Sequence, residues 1–334
     1  MKSLPLRLLG FLSVFCFLLT SSCVNAVNLH PILSGPQLAQ HTGAQTVALI
    51  SDIAMPSMNV GDDDDTAAPP AKPQISYRPF CTAVWVGNES ILTAAHCVHG
   101  YIREKRQAAV MQALLDQGVP PLLIVIILGH VDLDSVDLTD ETLNPIVRGM
   151  AEIAKTVPPV DPSTTLIPFI VQREVTNIGE QPTTLHYSLA SAVNTSQDLA
   201  LLTVYGPHVE HEVANLADQT PLVGENVAII GQASGHYWTY RVGVVSAYRH
   251  RISVMPLSGP FLQISADLVP GDSGGGTFNQ RGQLVGINSF VSPALVGGFC
   301  IHLETIRGFL AGQHLVTLPV DPKVDDSKIT DATL

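Results

Sequence analysis

The sequence predicts an all-β protein of two packed parts with a helical insertion. Apolar runs at residues 83–86, 91–93 and 240–246 have the length of strands, and a Gly-Asn turn separates the first two. The 334 residues are 46% apolar and 14% charged, which excludes a disordered chain and allows large cores. A third indication is the order of three reactive residues along the chain, His96, Asp198 and Ser273.

The most specific motif is Gly-Asp-Ser-Gly-Gly at residues 271–275. Five specified letters match by chance in roughly one random chain in ten thousand, although the motif alone also fits a flexible Gly/Ser turn. A serine hydroxyl is a weak nucleophile unless a neighbouring base removes its proton. The chain offers a base in Leu-Thr-Ala-Ala-His-Cys at 92–97 and an acid in Asp-Leu-Ala-Leu-Leu at 198–202.

These motifs and their order resemble the trypsin/chymotrypsin-like serine proteases, from about residue 78 to residue 310. The resemblance implies two six-stranded antiparallel β-barrels (chymotrypsin-like), with a helical insertion in the first barrel and a C-terminal helix. The phrase Val-Gly-Val-Val-Ser at 242–246 is similar to bacterial trypsin-like and HtrA-like members. We expect no PDZ domain after the second barrel.

The resemblance also implies a catalytic role for each motif. Ser273 would attack a peptide carbonyl while His96 takes its proton, and Asp198 would hold the imidazole in the required tautomer. The backbone N–H groups of Gly271 and Ser273 would form the oxyanion hole. In many relatives a trimmed amino terminus pairs with the aspartate before the nucleophile, here Asp272; whether such activation is needed stays open.

Side-chain preference at the cleavage site is the least constrained feature. Asp267 lies at the offset where trypsin-like members place the acid of their primary pocket, which implies cleavage after Arg or Lys. Small or hydrophobic side chains are the rival preference. The walls of the pocket would come from residues on the two following segments: Ser289, Phe290, Val291 and Gly298.

Two other functions compete with a serine endopeptidase. A catalytically inactive exported binding protein could use the same scaffold, because a fold does not guarantee chemistry. A non-peptidase esterase could use the same three residues. The presence of all three residues favours a peptidase over the inactive protein.

The amino-terminal region predicts export. Residues 1–26 read as a signal peptide, with Lys2 and Arg7 ahead of an apolar stretch that is too short to span a bilayer comfortably. The product would be secreted or periplasmic; the alternative is a membrane-anchored lipoprotein acylated at Cys23. Residues 27–77 would hold an early strand at 46–50 and an acidic loop around four aspartates at 62–65.

Three of the five cysteines are expected in the folded enzyme. The resemblance implies a disulfide between Cys81 and Cys97 that closes the histidine loop, and two reduced core thiols are the alternative. Cys300 has no obvious partner and is expected to pack as a small buried hydrophobe.

The predicted domains are a first barrel at 78–205, a second barrel at 206–318 and a flexible tail at 319–334. Helices are expected at 102–117, where an apolar stripe docks the insertion on the first barrel, and at 146–155. The apolar run 122–128 predicts a buried barrel strand, since prolines and Gly129 bound it. Residues 128–133 resemble the family strand that follows the histidine loop.

Charge and composition limit the partners. The net charge of −12 disfavours nucleic acid, because no basic stripe is present to displace counterions from phosphates. The twelve histidines show no spacing typical of a metal site, so neither a metal nor an organic cofactor is expected. The expected partner is a protein or peptide substrate, and the oligomeric state stays open.

Overall fold

The computed structural model describes residues 31–53, 77–172, 184–250, 252, 257–292 and 295–313. The predicted signal peptide, Cys23, the acidic run at 62–65 and the tail at 319–334 lie outside the described residues.

The first barrel is closed and antiparallel, with the strand order β1-β2-β3-β6-β5-β4. Its strands are β1 Thr46–Ser51, β2 Arg78–Gly87, β3 Ser90–Thr93, β4 Ile167–Val171, β5 His186–Asn194 and β6 Leu199–Tyr205. The strands predicted at 46–50, 83–86 and 91–93 are confirmed. Because β1 pairs with both β2 and β4, the barrel begins before the predicted boundary at residue 78.

The second barrel is also closed and antiparallel, with the order β10-β11-β12-β9-β8-β7. Its strands are β7 Asn226–Gly231, β8 Thr239–Arg249, β9 Phe261–Ile264, β10 Gly276–Asn279, β11 Leu284–Ser292 and β12 Leu295–His302. The predicted fold class, two six-stranded antiparallel barrels, is therefore confirmed.

Five helices occur in the described residues: α1 Gly35–Ala44, α2 Ala95–Asp116, α3 Pro121–Leu128, α4 Pro145–Thr156 and α5 Leu303–Gly312. The predicted helices at 102–117 and 146–155 correspond to α2 and α4. Helix α2 begins seven residues earlier than expected, so His96 lies in its first turn. None of the helices in these ranges is long and apolar enough to cross a bilayer.

Each barrel has its own apolar core. Trp85 and Phe169 meet edge to face inside the first barrel, with ring centroids 5.8 Å apart. A second core joins the two barrels and α5 through residues such as Leu92, Leu199 and Phe309. This shared core fixes the barrels against each other, and His96 and Ser273 come from opposite sides of the boundary.

The prediction of a barrel strand at 122–128 is wrong, because these residues form α3. Pro121 occupies the first turn, where its missing N–H costs nothing and its fixed φ suits a helix. Ile124 and Ile127 are buried three residues apart, whereas Leu122 and Ile126 are exposed. A short, continuously apolar run carries no periodicity that could have separated helix from strand.

The strand expected at 128–133 is also absent, since Leu128 ends α3 and residues 129–133 form turns and irregular backbone. Helices α2, α3 and α4 bury a separate apolar cluster that includes Val110, Leu114 and Met150. Arg106 on α2 joins the end of α4 to the loop that precedes α4, donating to the Val157 carbonyl at 2.6 Å and pairing with Asp134 at 2.7 Å. The insertion therefore has a small core of its own.

Candidate active site

His96 and Asp198 form the first half of the site. His96 lies one turn beyond the end of β3, and Asp198 directly precedes β6, which pairs with β3. The Nδ1 atom of His96 is 2.9 Å from Oδ2 and 3.0 Å from Oδ1 of Asp198. The backbone N–H of His96 donates to the same carboxylate at 2.9 Å. Asp198 is therefore positioned to accept from the Nδ1–H tautomer of His96, leaving Nε2 free.

His96 and Asp198 differ in their exposure to solvent. The side chain of Asp198 is 5% exposed, whereas that of His96 is 47% exposed. Asp198 has a φ of +54°, a left-handed conformation that is uncommon for residues other than glycine. The turn before it is held by Asn194, whose Oδ1 accepts from the N–H of Gln197 at 3.1 Å. From this turn the Asp198 carboxylate contacts the imidazole of His96.

Ser273 reaches the site from the second barrel. Its carbonyl oxygen accepts from the N–H of Thr82 at 2.9 Å, so the loop that carries this predicted nucleophile, called the nucleophile loop below, is bonded directly to β2 of the first barrel. Its Oγ donates to the Ser289 carbonyl at 3.4 Å. No hydrogen bond joins Ser273 Oγ to His96 within the described residues. Such bonds are often long before substrate binds and tighten in the Michaelis complex.

Ser289 lies at a bulge in β11, where the register with β12 shifts between Asn288 and Phe290. Bulges are common beside active sites because they re-aim one side chain. Here the Oγ of Ser289 donates to Asp198 Oδ2 at 2.5 Å, while its carbonyl faces Ser273. The sequence predicted Ser289 as a pocket wall, and the structure adds this direct contact with the acid.

The peptide groups around Ser273 have defined orientations. The Pro270 carbonyl accepts from the N–H of Ser234 at 2.6 Å, and the Asp272 carbonyl accepts from the N–H of Gly275 at 3.0 Å. In a trans peptide the N–H points away from the preceding carbonyl. The N–H groups of Gly271 and Ser273 therefore point away from these partners, and neither has an acceptor among the described residues.

Two of the motif glycines are required by close packing. Gly271 has a φ of +100°, and a Cβ there would lie 2.0 Å from the Gln232 carbonyl oxygen. Gly274 has a φ of +80°, and its Cβ would lie 2.0 Å from Thr93 Oγ1. A side chain at either position would combine a strained φ with a backbone collision.

Thr82 is a site residue that the motifs did not reveal. It is fully buried, and its Oγ1 donates to the Gly271 carbonyl at 2.7 Å. Together with the N–H donated to Ser273, this gives two bonds from one residue of the first barrel to the nucleophile loop. In the sequence, Thr82 is marked only by its position directly after Cys81, a residue of the predicted disulfide.

Asp272 is buried beside the predicted nucleophile, Ser273, and has a local partner. Its side chain is 1% exposed and forms an ion pair with the guanidinium of Arg241 on β8. The N–H of Val269 donates to Asp272 Oδ2 at 2.8 Å. Burial raises the pKa of Asp272, while Arg241 and the Val269 N–H act in the opposite direction. Arg241 was not among the predicted residues.

Leu268 lies against Gly298, one of the residues predicted to line the primary pocket. A Cβ at Gly298 would lie 2.4 Å from Leu268 Cγ, so the buried leucine packs against the glycine backbone. Phe290 stacks on Phe299, with centroids 5.0 Å apart. Asp267 is exposed, and its backbone carbonyl accepts from Arg241 at 2.7 Å. An acid at the base of a pocket would be enclosed, so this placement does not favour the predicted role of Asp267.

Cys81 and Cys97 are joined by a disulfide, and Cys300 is a free buried thiol. Burial raises the pKa of the Cys300 thiol to about 12, consistent with a packing role. The ligand atoms of Cys81, His96 and Cys97 lie within 4.8 Å of one another, a spacing that could suit a metal ion. Because the two sulfurs are bonded to each other, neither is a thiolate ligand in this structure.

Comparison with known proteins agrees with the geometry. The model of a trypsin-like peptidase domain matches residues 81–287. The chain is 40% identical over 103 residues to a probable periplasmic serine endoprotease, DegP-like, from Pseudomonas putida strain GB-1, covering 30% of this chain and 21% of that protein. It is 37% identical over 103 residues to the serine protease Do-like HtrB of Bacillus subtilis strain 168, covering 29% and 22%.

The chain thus spans about a fifth of the length of these curated relatives. Among solved structures, the HtrA-type protease AlgW with a decapeptide has a TM-score of 0.50 at 16% identity, covering 84% of this chain and 67% of that one. This similarity concerns the fold. Because the family model covers more than half of the residues, the chain belongs to the family of trypsin-like peptidase domains.

Proposed function

We propose that this protein is a serine endopeptidase in which His96, Asp198 and Ser273 act as the catalytic triad. The observation that carries the proposal is the bonding of His96 Nδ1 to a buried carboxylate, beside a serine anchored to the same barrel wall. His96 would accept the Ser273 proton at Nε2 and return it to the leaving amine. Asp198 would hold the ring and stabilise the imidazolium.

The N–H groups of Gly271 and Ser273 would receive the negative charge of the tetrahedral intermediate. Support comes from their fixed orientation and from the absence of a competing acceptor in the described residues. One such donor can contribute about 3–4 kcal/mol in the transition state. Because the loop is bonded at Pro270, Gly271 and Ser273, little reorganisation would be needed when the substrate binds.

The pocket favours small or modest apolar side chains at the cleavage site over Arg or Lys. Support comes from Leu268, which packs against Gly298, where we place the end of a long substrate side chain. Asp267 is exposed and so would offer a solvated, weakly selective charge. We therefore prefer the rival specificity to the basic one.

An inactive binding protein would not need the bonds that orient His96, Asp198 and the nucleophile loop. Their presence argues against that alternative. The geometry does not distinguish peptides from esters, so both substrates belong in the assay.

We further propose that the protein acts outside the cytoplasm, secreted or periplasmic. The export-like residues 1–26 and the description of one relative as periplasmic support this location. Anchoring through Cys23 is the alternative. Cell fractionation of the wild type and a Cys23→Ala variant distinguishes a free protein from an anchored one. A wild type in the membrane fraction and a variant in the soluble fraction would indicate acylation at Cys23.

The function is tested by profiling a peptide library and an ester panel with the wild-type chain, Ser273→Ala and Asp267→Ser. We expect cleavage after small apolar residues by the wild type, none by Ser273→Ala, and an unchanged preference in Asp267→Ser. Hydrolysis by folded Ser273→Ala at the wild-type rate would refute the triad. Cleavage after Arg or Lys that disappears in Asp267→Ser would restore the basic specificity.

A further inference from the structure

The guanidinium of Arg241 lies against the inner side of the nucleophile loop. It pairs with the Asp272 carboxylate and donates from Nη1 to the Asp267 carbonyl at 2.7 Å. Arg241 on β8 thus contacts both ends of the segment 267–272. The N–H of Gly271 lies within this segment, and the N–H of Ser273 follows it directly.

Asp272 depends on this contact. Its Oδ1 is buried and has no hydrogen-bond partner among the described residues, and Oδ2 also receives the N–H of Val269. A Cβ at Gly231 would lie 2.6 Å from Oδ1, so the carboxylate is enclosed by backbone on that side. A buried carboxylate without an opposite charge is strongly unfavourable, and in the described residues Arg241 supplies that charge.

We infer that Arg241 is a positioning residue. By holding Asp272, it keeps the N–H groups of Gly271 and Ser273 in the catalytically competent arrangement. The inference rests on the proposed peptidase function and deepens it. Because an internal side chain occupies the carboxylate, the loop needs no newly cleaved amino terminus as its partner. Arg241 acts through Asp272 and contacts no reacting atom.

The test compares Arg241→Met, which keeps the length and removes the charge, with Arg241→Lys, which keeps the charge. Arg249→Met is the matched control, since Arg249 is an exposed arginine on the same strand that bonds to Gln263 at 3.0 Å. Each variant is assayed for kcat and KM on a cleaved peptide and for inhibition by a peptide aldehyde. Ser273 Oγ adds to the aldehyde carbon, its proton passes to His96, and the resulting oxyanion occupies the oxyanion hole.

We expect Arg241→Met to lower kcat about 100-fold and to weaken the aldehyde about as much, because a misplaced oxyanion donor affects the tetrahedral state. KM should change less than about 5-fold, since ground-state binding does not use these donors. Arg241→Lys should recover at least about 10-fold of the lost kcat, and Arg249→Met should behave as wild type. Folded Arg241→Met with wild-type kcat would overturn the inference.

If Arg241→Met does not fold, the doubly neutral Arg241→Met/Asp272→Asn variant replaces it, because it leaves no unpaired buried charge. We expect this variant to fold and to have a lower kcat than the wild type. A kcat equal to that of the wild type would overturn the role of Arg241. A wild-type chain that cleaves no peptide would instead contradict the proposed function itself. The two failures are therefore distinguishable.

Discussion

The hydroxyl of Thr82 on the first barrel donates to the carbonyl oxygen of Gly271 on the second, at 2.7 Å. This bond crosses the boundary between the barrels two residues before Ser273, the proposed nucleophile. It connects the loop that carries Gly271 and Ser273 to the strand that also carries Cys81.

Replacing Thr82 with valine should lower kcat/KM by more than the loss of folding stability explains. The Gly271 carbonyl would lose its buried donor, which costs about 1–3 kcal/mol, and the loop would be free to rotate. We expect kcat/KM to fall roughly 10-fold or more, chiefly in kcat. The control is Thr46→Val, which removes a buried hydroxyl that donates to Thr42 at 2.7 Å away from the site. Equal kcat in both variants would contradict the linking role of Thr82.

Ser289→Ala should slow catalysis by removing the hydroxyl that donates to Asp198 Oδ2. A hydrogen bond to a charged group contributes about 1.5–3 kcal/mol, so kcat should fall roughly 10- to 100-fold. Steady-state kinetics at saturating substrate measure this change. A wild-type kcat would show that the bonds between His96 and Asp198 suffice to fix the acid.

Leu268→Ala should widen the pocket above Gly298 and change specificity. Removing three carbon atoms leaves space for roughly 2 kcal/mol of additional apolar contact with a larger substrate side chain. We expect the ratio of kcat/KM for leucine over alanine at the cleavage site to rise about 10-fold or more. Leu222→Ala, at an exposed leucine, is the control. An unchanged preference would place the pocket elsewhere.

Stability at mildly acidic pH should depend on His302, which caps α5. Its Nδ1 accepts from the N–H of Glu304 at 3.1 Å, so the cap requires an unprotonated Nδ1. Burial lowers the pKa of His302, with Glu304 opposing and His250 and Arg307 adding to the effect. Because the pKa of His302 is lower in the folded protein, the cap contributes fully to folding stability above about pH 6.5, the pKa of an unfolded histidine. This stability is lost as the pH falls through the lower pKa of His302 in the folded protein.

In thermal unfolding between pH 7.5 and pH 5, the wild type should lose about 2–4 °C more than His302→Asn. Asparagine keeps a capping oxygen without titrating, and such a cap contributes about 1 kcal/mol. Parallel losses in the two proteins would exclude His302 as the cause.

The sequence predicted the parts of the site where chemistry restricts residue type. A triad needs an acid, an imidazole and a hydroxyl, so the short motifs around His96, Asp198 and Ser273 predict these residues as a triad. The structure brings His96 and Asp198 into direct contact and bonds the Ser273 loop to the same barrel. Some strands of each barrel were also predicted where apolar runs end at turns, as at 83–86, 91–93 and 240–246.

The residues that support the site were not predictable in the same way. Arg241 is 31 positions before Asp272, and any cation reaching that carboxylate would serve, so no local pattern marks it. Leu268 follows Asp267 directly, yet only the fold shows that it covers Gly298. Helix α3 was missed because Ile and Val usually favour strands, whereas packing against α2 and α4 decides its conformation.

The central claim is that Ser273 is a nucleophile activated by His96. Mass spectrometry of the wild-type protein treated with a serine-directed organophosphonate tests it most directly, with His96→Ala treated in parallel. We expect one adduct, on Ser273, that forms in the wild type and at least about 100-fold more slowly in His96→Ala. An adduct on another residue, or equal labelling of Ser273 in both proteins, would contradict it.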